Sequence, residues 1–558
     1  GGSMHIFSKE HRFYGGHGIV GGQIPLGAGL AFADKYFKRE AVTLTFFGDG
    51  AARQGSLHET LTMAVKWNLP VVFCIENNGY GLSTPTNEQY NCENLADRGK
   101  GYGMESHIIE GNDILEVYSK LKGLVDSMRS NPRPILLEFK TFRMRGHEEA
   151  SGTKYVPTDL IDEWGLRDPL LNFEDYLLSE KIITEEDIQE YKNEFKKEID
   201  ENLDIAFAEP KIDADETIEL NDVYKTFNYQ EVKENSEKEN IRLIDAISQG
   251  LKQSMERHDN LVIMGQDVAE YGGVFKITEG FVEKFGKERV RNTPICESAI
   301  VSAAMGLSIN GYKAVVEMQF ADFVTSGFNP IINYLAKSHY RWNEKADIVV
   351  RMPCGAGVGA GPFHSQTNEA WFTHTPGLKV VYPAFPYDAK GLLATSIEDP
   401  NPVMFFEHKA LYRSIRQDVP TDYYTIPFGK ASLLKEGNDV TIITYGAGVH
   451  WALETLEENK EISADLLDLR TLVPLDVDAI YTSVKKTGRA IILQEDSLFG
   501  GIASDISSLI MENCFEYLDA PVIRVASLET PIPFASNLEA QYLPKTKFID
   551  SLKKLLDY

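Results

Sequence analysis

The chain has 558 residues, of which 83 are acidic and 56 basic, so its formal net charge is −27 at pH 7. This length suits about three or four domains, and the acidic balance argues against nucleic acid or an anionic membrane as a partner, because both require a basic surface. The sequence has no CxxC pair, no apolar run of about 18 residues and no signal peptide. We therefore expect a cytoplasmic protein, or one of an organelle matrix without its targeting segment.

The first motif in chain order is the glycine-rich stretch GGHGIVGG at residues 15–22. A dinucleotide-binding motif of this kind follows a strand and opens a helix. No strand is predicted before this stretch and no helix is predicted at the required point. We therefore do not interpret it as a dinucleotide site.

Two apolar runs, residues 42–47 and 71–75, are typical of strands buried on both faces, and a helix-like segment separates them. Asp49 follows the first run and Asn78 follows the second. Parallel strands joined in this way end at the same edge of a sheet, which is where open α/β sheets bind ligands. We expect Asp49 and Asn78 to meet there.

Oxygen donors from Asp49, Asn78 and the main-chain carbonyl of Tyr80 suit a hard cation that also holds phosphate oxygens. Gly48 and Gly50 allow the backbone to approach a diphosphate closely. The alternative is a tight turn beside an Asn-rich loop without a ligand. The correct spacing of both halves favours the magnesium diphosphate site.

The remaining pattern predicts an α/β organisation in several parts. A third buried strand is expected at residues 135–139, followed by charged helices over residues 158–209. The stretch 210–240 is rich in charged residues and is expected to be a solvated linker. The predicted divisions are residues 1–209, the linker 210–240, residues 241–429 and residues 430–558, with strands near 314–318, 348–351 and 403–407 in the third of these.

The order GDG, helix, strand and NN over residues 48–78 resembles thiamine-diphosphate enzymes. The motifs NTPICE at 292–297 and MQFADF at 318–323 resemble the β subunit of 2-oxo acid dehydrogenases that carry α and β subunits, and the first half resembles their α subunit. Nearly the whole chain is similar to a fused α–β component. The resemblance implies two thiamine-diphosphate-binding, doubly wound parallel-sheet domains and a transketolase C-terminal-like α/β domain.

The resemblance implies thiamine diphosphate and Mg²⁺ as cofactors. Asp49, Asn78 and Tyr80 would bind the metal, and Glu297 would hydrogen-bond the aminopyrimidine and favour its imino tautomer; a helix-initial Glu stabilised by the helix dipole is the alternative. The other residues expected to contact the cofactor are Gly18, Val20, Gly48, Gly50, Ala51, Ile295, Gln319 and Phe323, with Phe323 stacking on the pyrimidine ring.

Two histidines match active-site positions of the family. His147 lies in TFRMRGHEEASG and resembles the α-subunit histidine, and His364 lies in FHSQTNEAWF and resembles the β-subunit histidine. Imidazole titrates near neutrality, so either residue suits binding a carboxylate or moving a proton. The run GAGVGAGP at 355–362 resembles a phosphate loop, but the adjoining FHSQ is typical of the β subunit.

Two departures from the family pattern carry expectations. The sequence begins well inside the usual α subunit, so we expect a preceding helical region to be missing, including a Tyr-Arg pair that grips the diphosphate, and cofactor affinity to suffer. Glu148 stands after His147, where regulated α subunits carry a phosphorylatable Ser. We therefore expect no control by phosphorylation at that position.

The resemblance predicts oxidative decarboxylation of a 2-oxo acid with acyl transfer to the lipoyl domain of a dihydrolipoyl acyltransferase. Residues 81–90, 364–383 and 548–558 favour the branched-chain (2-oxoisovalerate) type, and a homodimer resembling α2β2 is expected, with each active site formed where two domains face each other. The alternatives are a pyruvate or acetoin dehydrogenase component, a transketolase-like ketol transferase and a truncated, non-catalytic scaffold.

Overall fold

A computed structural model describes residues 5–16, 18–148, 150 and 152–558 of the chain. The chain divides into two compact units, one ending at Asn221 and the other running from Asp222 to Tyr558. Every helix in the described ranges is too short or too polar to cross a lipid bilayer. All five cysteines are free thiols.

The N-terminal unit contains a four-stranded parallel sheet in the order β1-β2-β6-β5, and a two-stranded hairpin formed by β3 and β4. Its strands are β1 (Thr43–Gly48), β2 (Val71–Asn77), β3 (Tyr80–Gly81), β4 (Thr84–Pro85), β5 (Glu105–Glu110) and β6 (Ile135–Lys140). Its helices are α1 (Gln23–Tyr36), α2 (Gly55–Trp67), α3 (Thr86–Gln89), α4 (Arg98–Tyr102), α5 (Ile114–Ser130), α6 (Thr158–Gly165), α7 (Pro169–Ser179), α8 (Glu185–Ala208) and α9 (Glu216–Asn221).

The three predicted strands of this unit are present, and one prediction about their burial is wrong. Strands β2 and β6 are buried on both faces. In β1, by contrast, Thr45 and Phe47 are buried while Leu44 and Phe46 are exposed. The reason is that helix α1 packs closely on the Thr45 face of β1, where a Cβ atom on Gly27 would meet Thr45 Oγ1, while the face with Leu44 and Phe46 is left exposed. An apolar run alone did not reveal this difference between the faces.

The charged region after residue 158 is helical, as predicted. Helix α8 begins with a reciprocal cap in which Thr184 Oγ1 accepts a hydrogen bond from the Asp187 amide at 3.2 Å and Asp187 Oδ2 accepts one from the Thr184 amide at 2.8 Å. This arrangement satisfies two amides that the helix itself leaves unpaired. Short-range sequence therefore explains where this helix starts.

The C-terminal unit contains a seven-stranded sheet in the order β18-β12-β13-β11-β10-β8-β9, a five-stranded sheet in the order β15-β17-β16-β19-β20, and the pair β14-β7. Its strands are β7 (Lys238–Arg242), β8 (Leu261–Gly265), β9 (Val290–Asn292), β10 (Lys313–Glu317), β11 (Ile348–Cys354), β12 (Lys379–Val381), β13 (Val403–His408), β14 (Arg416–Pro420), β15 (Ser432–Lys435), β16 (Val440–Thr444), β17 (Ala464–Asp468), β18 (Thr471–Val473), β19 (Ala490–Ser497) and β20 (Ile523–Ser527).

Helices flank both of these sheets. They are α10 (Leu243–Arg257), α11 (Phe281–Phe285), α12 (Glu297–Ile309), α13 (Phe328–Asn333), α14 (Ser338–Trp342), α15 (Ala370–Thr373), α16 (Pro386–Glu398), α17 (Leu411–Ser414), α18 (Ala447–Glu458), α19 (Val477–Thr487), α20 (Ile502–Cys514), α21 (Ser536–Tyr542) and α22 (Lys545–Leu556). The predicted parallel α/β architecture is therefore present. Two edge strands, β18 and β15, run antiparallel to their neighbours.

The predicted linker at residues 210–240 differs from expectation in its second half, which packs on the C-terminal unit. Tyr224 Oη donates a hydrogen bond to the Leu378 carbonyl at 3.0 Å, and the Val232 amide donates one to Thr425 Oγ1 at 2.9 Å. Tyr224 and Phe227 also lie against the Lys379 ammonium group, each ring centroid 5.7 Å away. Composition indicated a solvated chain because the charged residues outnumber these few aromatic anchors.

Candidate active site

Asp49 lies directly after β1, at the carboxyl edge of the four-stranded sheet, and is only 1% exposed. Its Oδ2 accepts a weak hydrogen bond from Gln89 Nε2 at 3.5 Å. Its Oδ1 is buried and has no hydrogen-bond partner among the described residues. Burial raises the pKa of Asp49, and the nearby backbone amides of Asp49 and Asn78 partly offset that effect. The site thus presents a buried carboxylate oxygen that lacks a partner.

The loops after β1 and β2 meet at two glycines. The two strands pair in parallel with Gly48 opposite Glu76, so the chain leaves both strands at the same edge. A Cβ atom on Gly50 would lie 3.1 Å from the Cα of Gly81. The absence of side chains at these two positions therefore allows the backbones to touch.

The two asparagines at the end of β2, Asn77 as its last residue and Asn78 directly after it, have different environments. Asn77 is buried and its Nδ2 donates a hydrogen bond to Glu138 Oε1 at 2.7 Å. Glu138 is fully buried and also accepts a hydrogen bond from the Ala96 amide at 2.8 Å. Asn78 Oδ1 instead accepts from the Tyr80 amide at 3.1 Å within its own loop. Asn77 and Glu138 therefore brace the loop that carries Asn78.

Tyr80 occupies the start of the β3–β4 hairpin, where its side chain is buried. Its ring centroid lies 5.7 Å from that of Tyr155 and 6.4 Å from that of Phe142. The three predicted metal ligands, Asp49, Asn78 and Tyr80, thus belong to two adjoining loops. A cluster of three or more His, Cys, Asp or Glu side chains suited to a metal does not occur in the described ranges, and the predicted set contains only one such side chain.

Gly18 and Val20 lie in the segment before α1, and Val20 is 61% exposed. The only pairing before them in residues 5–16 is an isolated bridge between Ser8 and Phe13. No strand therefore leads into the glycine-rich stretch within those described residues, as predicted. Helix α1 does begin directly after the stretch, at Gln23, so the expectation that no helix opens there is wrong. Ala51 is buried at the start of a 3₁₀ turn directly after the Gly48–Gly50 loop.

His147 is exposed, and sequence analysis missed the cation beside it, Arg143. Arg143 donates a hydrogen bond from Nη2 to Tyr155 Oη at 2.9 Å, and its Nη1 lies 3.4 Å from His147 Nδ1. The positive charge of Arg143 also favours the ionised form of Asp49 and so lowers the pKa of that carboxyl, against the larger effect of burial. The sequence does contain Arg143, in the RMR triplet before Gly146 and His147. A charged residue type alone, however, does not show which groups its side chain will contact.

In the C-terminal unit, Glu297 is the first residue of α12 and is 8% exposed, so the predicted burial is observed. Gln266, which follows β8, donates a hydrogen bond from Nε2 to Glu297 Oε1 at 3.3 Å. The rest of α12 is almost wholly apolar and buried. Sequence analysis did not identify Gln266, because it lies 31 positions away from Glu297.

Gln319 follows β10, the neighbour of β8 in the sheet. Its Nε2 donates a hydrogen bond to Asp267 Oδ2 at 3.1 Å, so the residues after two adjacent strands are linked at one edge. Ile295 precedes α12 and is 83% exposed. The structure therefore brings Glu297 and Gln319 to the carboxyl edge of the seven-stranded sheet and leaves the Ile295 side chain open to solvent.

His364 is half-buried against two aromatic rings. Its ring centroid lies 4.8 Å from that of Phe320 and 5.6 Å from that of Phe323, both edge to face. Asp322 lies between those phenylalanines in sequence; burial raises its pKa, and the charges of Lys409 and His364 oppose that shift. Phe323, predicted to stack on a cofactor ring, thus also forms part of the surroundings of His364.

Comparisons with known proteins cover both units. The family model "Dehydrogenase E1 component" matches residues 1–215, "Transketolase, pyrimidine binding domain" matches residues 239–414, and "Transketolase, C-terminal domain" matches residues 429–549. Between them, these matches extend over most of the sequence.

Individual relatives named as β subunits match a little more than half of the chain. The 2-oxoisovalerate dehydrogenase subunit beta of Bacillus subtilis is 46% identical over 305 residues, which are 54% of this chain and 93% of the relative. The acetoin:2,6-dichlorophenolindophenol oxidoreductase subunit beta of the same organism is 44% identical over 320 residues, covering 54% and 93% of the two chains. The pyruvate dehydrogenase E1 component subunit beta of Bacillus subtilis is 42% identical over 323 residues, which are 57% of this chain and 99% of the relative.

Proposed function

Because the chain belongs to the thiamine-diphosphate-dependent 2-oxo acid dehydrogenase family, as a fused α/β E1 component, we propose that it decarboxylates a branched-chain 2-oxo acid oxidatively. The acyl group passes to the lipoyl arm of a dihydrolipoyl acyltransferase. The observation that carries the site proposal is the buried Asp49 carboxylate with its unpaired Oδ1. Thiamine diphosphate, when bound, supplies a nucleophilic carbon and an electron sink for decarboxylation.

The donor set after β1 and β2 fits a hard cation. A buried carboxylate oxygen without a hydrogen-bond partner is costly unless an ion or donor meets it. Mg²⁺ prefers carboxylate, amide and carbonyl oxygens together with substrate phosphates. We therefore assign Asp49, Asn78 and the Tyr80 carbonyl to Mg²⁺, while Gly48, Gly50 and Ala51 present backbone to the diphosphate.

At the second sheet edge, Glu297 provides a buried carboxyl for the pyrimidine. The hydrogen bond from Gln266 orients that carboxyl, and Glu297 holds a proton or releases it at the ring nitrogen. Gln319, Ile295 and Phe323 line the same pyrimidine site in this proposal. Gly18 and Val20 keep their predicted role, in which their backbone groups contact the aminopyrimidine.

His147 and His364 bind the substrate carboxylate and assist reductive acylation of the lipoyl arm. Their flanking motifs support this role, and the aromatic rings of Phe320 and Phe323 restrict where the His364 imidazole lies. A half-buried imidazole against apolar rings is suited to proton transfer with little competing water.

Pyruvate or acetoin chemistry is a second candidate, because relatives named for those substrates are 42% and 44% identical over similar lengths. The branched-chain assignment is supported by the 46% identity to the 2-oxoisovalerate subunit and by residues 81–90 and 364–383. The proposed domain divisions remain 1–209, 210–240, 241–429 and 430–558; the gaps between family matches, 216–238 and 415–428, support them.

The test combines cofactor, substrate and acceptor. The protein is supplied with magnesium thiamine diphosphate, 3-methyl-2-oxobutanoate and a lipoyl domain, and the acylated lipoyl domain is measured by mass spectrometry. Acylation with a branched acyl group supports the proposal. Failure to acylate with any 2-oxo acid, together with neither release of carbon dioxide nor reduction of an artificial electron acceptor, contradicts it.

The same preparation tests assembly. We propose a homodimer, because one chain carries both subunit types and two copies reproduce the α2β2 composition of the family. Light scattering during size-exclusion chromatography should give twice the chain mass of 62.6 kDa. A monomer at the concentrations that support turnover would contradict this part of the proposal.

A further inference from the structure

The glycine-rich loop at residues 355–361, which joins β11 to the segment carrying His364, has an unusual backbone. Gly355, Gly357, Gly359 and Gly361 all have positive φ angles, of 91°, 87°, 68° and 72°. When left-handed and ordinary residues alternate, successive amide N–H groups turn into one concave surface that binds anions. The loop is therefore shaped to surround a negative charge.

The charge that fills this concavity comes from the same chain. Glu539 in α21 accepts hydrogen bonds from the Gly357 amide at 2.8 Å and from the Gly359 amide at 3.0 Å. Glu495, near the end of β19, accepts one from the Ala356 amide at 2.7 Å. Both carboxylates belong to the part of the unit built around the five-stranded sheet, and both are buried. The loop thus binds protein carboxylates where its sequence resembles a phosphate loop.

A buried cation secures the start of the loop. Lys409 Nζ donates a hydrogen bond to the Gly355 carbonyl at 2.8 Å, and its backbone amide donates one to the Cys354 carbonyl at 2.9 Å. His408 Nε2 lies 2.6 Å from Glu495 Oε2. At the start of the loop, therefore, the Lys409 ammonium group binds a backbone carbonyl and the Glu495 carboxylate binds a backbone amide.

The end of the loop lies against Phe534, which stands two residues before α21 in the sequence. A Cβ atom on Gly361 would lie only 2.4 Å from the ring of Phe534, so the ring covers this glycine directly. His364 follows three positions later and packs on Phe320 and Phe323. The placement of the imidazole consequently depends on contacts at both ends of the segment.

We propose that Glu539 is a positioning residue for His364: by occupying the concavity of the 355–361 loop, its carboxylate fixes the segment from which the imidazole projects. The proposal rests on the proposed function, in which His364 contacts the 2-oxo acid. Glu539 itself touches neither substrate nor cofactor. Its effect reaches the reaction only through the geometry of the loop.

The informative variant is Glu539→Gln, which keeps the side-chain size and one acceptor oxygen. Its amide group turns an N–H donor toward a loop N–H, so one of the charge-assisted hydrogen bonds is lost. A displacement of about 1 Å in a reacting group can cost on the order of a hundredfold in rate. We expect kcat/KM to fall by about tenfold or more, with magnesium thiamine diphosphate affinity unchanged.

Two measurements separate positioning from general damage. Hydrogen exchange, followed by mass spectrometry of a peptide covering residues 355–363, should be faster in Glu539→Gln than in the parent protein. In a His364→Ala background, the same substitution should cause little further loss of kcat/KM, because the positioned group is absent. The matched control is Gln541→Ala, an exposed residue on the same helix, which should behave like the parent in both measurements.

The proposal is overturned if Glu539→Gln leaves loop exchange unchanged, or if it lowers kcat/KM by the same factor with and without His364. Failure of the proposed function has a different signature, since the parent protein itself would then not turn over any 2-oxo acid. Hydrogen exchange of the 355–361 loop can be measured without turnover. It therefore tests the contact between Glu539 and this loop independently of the proposed function.

Discussion

The Gln266 side chain donates a hydrogen bond to the Glu297 carboxylate at 3.3 Å, joining the residue after β8 to the first residue of α12. Both side chains are buried at the carboxyl edge of the seven-stranded sheet. This hydrogen bond orients the Glu297 carboxyl. The orientation supports the proposed role of Glu297 in exchanging a proton with the pyrimidine ring nitrogen.

Replacing Glu297 with Gln should abolish most turnover while leaving cofactor binding largely intact, because the carboxyl acts on the pyrimidine rather than on the diphosphate. General acid–base groups contribute about 10²–10⁴-fold. Steady-state kinetics and calorimetry with magnesium thiamine diphosphate measure the two effects. Glu283→Gln, an exposed residue of α11, serves as the control. Retention of more than half of the parent activity would exclude Glu297 from this role.

Replacing Asp49 with Asn should weaken magnesium-dependent thiamine diphosphate binding, because a charged ligand is lost. The same change should leave the melting temperature of the cofactor-free protein unchanged or higher, since it removes a buried carboxylate with an unpaired oxygen. Calorimetry measures the cofactor affinity and thermal melts measure the stability of the cofactor-free protein. Asp162→Asn in α6 is an exposed control. Undiminished cofactor affinity would place the metal elsewhere.

Replacing Gly50 with Ala should lower cofactor affinity by displacing the backbone, without removing any ligand side chain. The added methyl group would lie 3.1 Å from the Gly81 Cα, so the two loops must separate. Gly101→Ala, where the methyl group meets open space, is the matched control and should be neutral or slightly stabilising. Equal cofactor affinities for the two variants would show that the loop contact does not matter.

The stability of the protein should depend on pH through Asp496. Burial, with a smaller effect of the Glu495 charge, raises the pKa of Asp496 from 3.8 to about 6. Because the folded-state pKa is raised, the associated stabilisation is complete below about pH 4 and is lost as pH rises through about 6. Two pKa units correspond to about 3 kcal/mol.

Asp496→Asn should therefore remove the loss of stability that occurs as the pH rises through about 6. It keeps the acceptor oxygen for the Ser497 amide, which donates a hydrogen bond to Oδ1 at 2.7 Å. Thermal melts at pH 5 and pH 8 should show a greater gain in melting temperature at pH 8 than at pH 5. Asp550→Asn, exposed on α22, is the control. An equal gain at both pH values would be inconsistent with a raised pKa.

Substrate preference should be graded and should favour branched acids. A hydrophobic pocket distinguishes a missing methylene by only about 1–3 kcal/mol, so pyruvate should react detectably but less efficiently than 3-methyl-2-oxobutanoate. The measurement is the ratio of kcat/KM for the two acids with a lipoyl domain as acceptor. A ratio in favour of pyruvate would replace the branched-chain assignment by the second candidate.

Local sequence predicted the elements that depend on nearby residues. Apolar runs identified β2, β6, β10 and most of β11 and β13, because a strand buried on both faces needs consecutive apolar side chains. The same runs placed Asp49 and Asn78 at strand ends. Exposure of one face of β1 and the short strand β12 were missed. The first depends on which element covers that face of the sheet, and the second on which strands lie alongside.

The sequence by itself determined the family, the α/β fold and the residue types for the proposed chemistry, because motif spacing and apolar periodicity are properties of the chain. Only the tertiary structure decided which groups meet across long distances. Gln266 and Glu297 are 31 positions apart, and Glu539 and Gly357 are 182 apart. Such contacts arise when separate sheets and helices pack around shared cores, and no local pattern records which partner a buried carboxylate will find.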